Sequence, residues 1–133
     1  MSNTFARFLH AYGHPGASQA SVDSFKQQRG VNLPDDFEEF LLRSDGCNGE
    51  LGEGYLQLWS VSELIGADDY EFFPSGQNRF LIGSNAGSTA YAVYDGNFIS
   101  VPFVFSGPIE EEIEVLGRNF AEFVAAIEHG KGS

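Results

Sequence analysis

Ala90-Tyr91-Ala92-Val93-Tyr94-Asp95-Gly96-Asn97-Phe98-Ile99-Ser100-Val101-Pro102-Phe103-Val104-Phe105 is the stretch that decides the fold of this 133-residue chain. Ala90 to Tyr94 and Phe98 to Phe105 are rich in β-branched and aromatic side chains, which fit a pleated, half-buried surface. Between them stands Asp95-Gly96, the kind of dipeptide that two-residue hairpin turns select, because both central residues take positive φ. The stretch reads as an antiparallel hairpin. Pro102 has no N–H for a ladder, so it marks an edge or a bulge in the last strand.

Upstream of the hairpin, Arg79 to Gly83 is a further strand, and Gly83-Ser84-Asn85-Ala86-Gly87 the turn that follows it. That turn lacks the lysine of a phosphate-cradling loop and leads into a strand instead of a helix. A small-ligand pocket there is motivated by the turn alone. Tyr55-Leu56-Gln57-Leu58-Trp59 is another short strand. Ser60 to Leu64 reads as one helical turn, with Ser60 and Glu63 at capping-box spacing. The segment from Cys47 to Gly54 reads as a loop.

Helical spacing fills both ends. Phe5, Phe8, Leu9 and Tyr12 follow an i, i+3, i+4, i+7 stripe after Thr4 as cap, and Gly13-His14-Pro15-Gly16 stops it. Ser18 or Ser21 caps a second helix with Val22 and Phe25 inward and Gly30 past its end. Pro34 suits the first position of a third, whose acids Asp35, Asp36, Glu38 and Glu39 favour the positive end of the helix dipole. Phe37, Phe40 and Leu41 form its apolar face. Leu116, Phe120, Phe123, Val124 and Ile127 share a face of the last helix, closed by Gly130. Helices, then strands, then a helix define an α+β fold: a mainly antiparallel sheet of about four to six strands with helices packed on one side. The length suits one domain over 1–133, and 13 Phe, 5 Tyr and 1 Trp supply its core.

Charge restricts the partners. Nineteen Asp and Glu against seven Lys and Arg give a net charge of −12. Phosphates of nucleic acid and anionic membrane surfaces would repel such a chain. A basic protein is its electrostatic complement, although acidity also serves plain solubility. The single cysteine, Cys47, forms no internal disulfide and suits a reducing compartment. With no signal-peptide pattern and no membrane-length apolar run, the expected location is the cytoplasm.

A search for chemistry identifies no catalytic, cofactor-binding or metal-binding residue, so no enzyme activity and no cofactor are expected. His10, His14 and His129 lack metal-ligand spacing, and one cysteine cannot build a zinc site. Acids are so plentiful that a carboxylate pair at glycosidase distance carries no information. The residues singled out for a partner are Glu110, Glu111, Glu112 and Glu114, together with Asp68, Asp69 and Glu71. Four carboxylates in five residues form either a solvated connector or an electronegative rim for a basic partner. In Asp68-Asp69-Tyr70-Glu71-Phe72-Phe73-Pro74, the aromatics either anchor an interface or pin a long loop to the core.

The ordered pieces resemble the SMI1/KNR4 family, the SUKH superfamily. They are Leu33-Pro34-Asp35-Asp36-Phe37-Glu38-Glu39-Phe40-Leu41-Leu42, the glycine loop at Asn48-Gly49, Leu56 to Leu58, and Val61-Ser62-Glu63-Leu64. Phe80-Leu81-Ile82-Gly83-Ser84, Tyr91-Ala92-Val93-Tyr94-Asp95 and Asn119-Phe120-Ala121-Glu122-Phe123-Val124 complete the series. The likeness spans about residues 18–129, which makes the helix over 4–12 an addition to the family core. Asn48-Gly49-Glu50 stands where a Gly-Gly pair is common. The resemblance implies a non-catalytic fold. Bacterial members are typically immunity proteins that neutralise a cognate toxin domain, often a nuclease or deaminase, whereas fungal members are regulatory or scaffold proteins. Two readings follow: an immunity protein for a basic toxin domain, or a regulatory module binding a cellular protein. The family has no shared catalytic residues to carry over, and the resemblance does not fix the oligomeric state.

Overall fold

The computed structural model describes residues 3–67, 73 and 78–132. Among these, six strands form one antiparallel meander in sequence order: β1 (Cys47–Leu51), β2 (Gly54–Leu58), β3 (Arg79–Ser84), β4 (Thr89–Tyr94), β5 (Asn97–Pro102) and β6 (Glu114–Gly117). Five helices accompany them: α1 (Asn3–Tyr12), α2 (Gln19–Arg29), α3 (Asp35–Arg43), α4 (Val61–Gly66) and α5 (Phe120–Glu128). The α+β class, the antiparallel sheet and the one-sided helical layer all agree with the sequence.

The β4–β5 hairpin turns at Asp95 and Gly96, with φ of 53° and 90°, so both central residues are left-handed as the dipeptide requires. Side chains alternate across these strands and divide the core in two. Phe80, Ile82, Tyr91, Val93 and Phe98 face the helices, where Phe5, Phe37, Phe40, Phe120 and Phe123 meet them. Phe120 is the centre of this layer, its ring centroid 4.9 Å from Phe40, 5.5 Å from Phe37 and 5.8 Å from Phe98. Truncating it to alanine should cost about 3–5 kcal/mol. On the opposite face Leu81, Ala90, Ala92, Ile99 and Val101 form a second cluster, covered by Phe73 and by Phe103, Phe105, Ile109 and Ile113 from the β5–β6 connection.

Capping signals fall where the sequence places them. Ser18 accepts from Ser21 N–H, Gly30 closes α2 in left-handed backbone at φ 70°, and Ser60 with Glu63 completes a capping box on α4. Three expectations at helix termini shift. Thr4 lies inside α1, which runs from Asn3, Pro34 is the N-cap of α3 instead of its first residue, and Leu116 belongs to β6. α5 starts only after its cap Asn119, whose side chain accepts from Glu122 N–H at 2.8 Å.

Four strand expectations also change. Cys47–Leu51 is a strand, pairing residue for residue with β2, not part of a loop. The strand expected to reach Phe105 ends at Pro102, and Phe103 and Phe105 fold back over the second face. β5 is not the last strand but lies between β4 and β6; Pro102 stands past Ser100↔Glu114, where β6 no longer pairs, at a local edge of the kind its missing N–H marks. Gly83 and Ser84 are strand residues, and only the positions after them turn. Gly83 is needed by close approach: a Cβ there would overlap the Gln57 carbonyl oxygen of β2.

Candidate functional site

Residues 109–114 read Ile-Glu-Glu-Glu-Ile-Glu, and that alternation of anchors and acids builds an exposed acidic stretch. Ile109 and Ile113 are half-buried against the second cluster and pin the segment to the sheet. After Pro108, a 3-10 turn over Ile109–Glu111 is closed by Glu111 N–H to Pro108 O at 3.2 Å and Glu112 N–H to Ile109 O at 2.9 Å. With the isoleucines held inward, Glu110, Glu111 and Glu112 point to solvent, and Glu114 opens β6, also exposed. Among the described residues none of the four carboxylates forms an ion pair. The fold thus brings these four together at the rim between the second sheet face and the β6 edge. Asp68, Asp69 and Glu71 lie outside the described residues. In their segment only Phe73 is described; it is buried, with its ring centroid 6.0 Å from that of Tyr94.

One guanidinium lies within the influence of this rim. Arg79 holds Asp95 through two contacts of 3.1 Å and stacks 4.1 Å over the Tyr94 ring. Its pKa is raised, first by the hydrogen bond to Asp95, with the Asp95 and Glu110 charges adding.

Sequence reasoning missed a polar cleft of about 580 Å³ at the opposite end of the sheet, lined by His14, Asp45, Asn48, Gln57, Ser60 and Glu63 among others. Its acids cap backbone: Asp45 accepts from Val61 N–H at 2.7 Å and Glu63 from Ser60 N–H at 2.9 Å. Glu63 was legible as a cap in the sequence, whereas Asp45 reaches Val61 from 16 residues away, and the convergence of the two across three elements leaves no local signal. Cys47, also in this wall, is buried, and desolvation pushes its thiol up to about 12. It is therefore protonated and unreactive at neutral pH. The Ser84–Thr89 turn consumes its own amides: Ser84 Oγ takes Ala86 N–H, and Asn85 Oδ1 takes those of Gly87 and Thr89. That leaves no nest of free donors for an anion. Among the described residues no group of three or more His, Cys, Asp or Glu is placed to hold a metal ion. No helix among them is long and apolar enough to cross a membrane.

The fold is a helix-backed antiparallel sheet with an exposed acidic stretch in the β5–β6 connection. The family model described as SMI1 / KNR4 family (SUKH-1) matches residues 16–126, most of the chain, and the protein belongs to that family. The family includes immunity proteins that bind toxin domains, and its members are generally non-catalytic. The matched span begins after α1. No curated protein matches the chain.

Proposed function

We propose that this chain is a cytoplasmic immunity protein that binds and neutralises a basic toxin domain of nuclease or deaminase type. Membership in a family that includes immunity proteins carries the reading, and the net charge of −12 indicates which partners it suits. A toxin that acts on nucleic acid needs a positive groove for phosphates. An acidic surface can steer toward that groove, occupy it and exclude the substrate, with no chemistry of its own. Glu110, Glu111, Glu112 and Glu114 are the described residues proposed for this contact, and Asp68, Asp69 and Glu71 extend it in sequence.

The test is capture at low salt on the immobilised full chain, stepwise elution with NaCl, and identification by mass spectrometry. The captured polypeptide is then expressed alone and together with this protein. A basic polypeptide that stops growth alone and is silenced by co-expression is the expected result. A captured housekeeping protein with no toxicity would replace this reading with the regulatory or scaffold one.

A further inference from the structure

The two edges of the sheet are treated differently. At the β1 edge the chain leaving α1 makes a bridge from Gly13 to Cys47, and the Tyr12 ring lies so closely on Gly49 that a Cβ there would overlap it. That edge is capped at Cys47 and has α1 packed beside it. At the other end β6 pairs only with β5, and among the described residues no backbone hydrogen bond meets its outer side. Val115, in the middle of the edge, is 58% exposed although it is apolar. β6 also stops short: beyond Ser100↔Glu114, β5 continues through Val101 and Pro102, and a cleft of about 390 Å³ opens at the step, lined by Ser100, Pro102, Glu114 and Lys131 among others.

An open edge with unpaired N–H and C=O groups is a template for another strand. The charge beside it selects which strand. Glu110, Glu111 and Glu112 lead into β6 and Glu114 begins it, against Lys131 in the cleft and Arg118 just past the strand, the latter 3.8 Å from Glu122. Two copies meeting edge to edge would bring like charges together, which disfavours self-pairing, whereas an extended basic segment gains both ladder bonds and charge complementarity.

We propose that β6 is a docking edge that takes an extended Lys- or Arg-bearing segment of the partner protein as a seventh strand, with Val115 as its apolar contact and Glu110–Glu112 and Glu114 as its charge complement. The choice of a basic partner rests on the immunity reading; the open edge does not.

The test uses the full chain labelled with 15N and a capped heptapeptide of alternating lysine and valine, followed by amide hydrogen exchange. Peptide pairing should slow exchange of outward amides within Glu114–Gly117 by about tenfold or more at saturation, as closure of an open edge requires. A peptide N-methylated at alternate residues should lose that protection. The triple variant Glu110→Gln, Glu111→Gln, Glu112→Gln should weaken peptide affinity by about tenfold, the scale of a few exposed charge pairs. Unchanged exchange across β6, equal binding of the methylated peptide, or a dimer of this chain that protects the same amides would overturn the proposal. The two readings fail separately. Peptide pairing with no toxin captured keeps the edge and removes immunity, whereas a captured toxin whose complex leaves β6 amides unprotected keeps immunity and removes the edge.

Discussion

The Asp36 carboxylate accepts a hydrogen bond from the Phe120 backbone N–H at 2.8 Å, tying the first turn of α3 to the first turn of α5 across 84 residues of chain. The early N–H groups of a helix have no internal partner. Asn119 satisfies one for α5 locally, and Asp36 satisfies another from a different helix while holding Phe120 at the centre of the aromatic layer. Asp36→Ala should lower unfolding free energy by about 1–2 kcal/mol in urea titration, the usual worth of such a cap. Asp36→Asn keeps an acceptor oxygen and should lose less. Two variants as stable as the parent would show that α5 does not depend on this contact.

Gly83→Ala tests close approach instead of capping. The added methyl would meet the Gln57 carbonyl, which the β1–β2 and β2–β3 pairings hold, so it cannot swing aside as a side-chain tip would. A loss of about 3 kcal/mol is expected, the upper end for overpacking. Gly87→Ala is the control, because its nearest neighbour is the Asn85 side chain at 3.3 Å in an exposed turn, and thermal melts should separate the two clearly.

How much of this was legible follows from where the information sits. α3 is written locally: an acidic first turn, Phe37, Phe40 and Leu41 on one face, and Arg43 in the last turn. The β4–β5 hairpin is equally local, because Asp95-Gly96 states its own turn. β1 is not. Asn48, Gly49 and Glu50 are poor strand formers, and the segment is extended because β2 pairs with all five of its residues. β6 was hidden by coincidence: Leu116 stands four residues before Phe120 and extends the helical stripe, yet it reaches the same cluster from a strand. For the acidic rim, the run of glutamates was visible in the sequence. That Ile109 and Ile113 pin it beside an open edge depends on sheet order, which no short window contains.

Alkaline pH should destabilise the fold through two buried groups. Burial pushes the Cys47 thiol from 9.0 up to about 12 and the Tyr91 hydroxyl from 10.0 up to about 12. Below about pH 8 both are protonated whether the chain is folded or unfolded, so stability is flat with respect to them. Above that, the unfolded chain loses first the thiol proton and then the phenol proton, while the folded chain keeps both. Stability must then fall as pH rises, through about pH 12. Urea midpoints between pH 8 and 11 should decline, and Cys47→Ala should flatten the early part of that decline. A parent and variant with parallel curves would remove Cys47 from the explanation.

The acidic rim makes a prediction that separates steering from packing. Glu110, Glu111 and Glu112 are exposed and, among the described residues, form no ion pair, so replacing all three by glutamine should leave the urea midpoint nearly unchanged. The change removes three negative charges at one rim, however, and electrostatically steered encounters depend on such charges. With a captured basic partner, the association rate at low salt should fall by about tenfold, while the dissociation rate changes little, since rim charges act chiefly on encounter. Raising NaCl should slow the parent protein toward the variant, because screening at about 8–10 Å covers charges of this exposure. Stopped-flow rates at several ionic strengths decide it. Parent and variant rates that are equal at low salt, or a parent rate indifferent to salt, would place the steering charge elsewhere on the molecule.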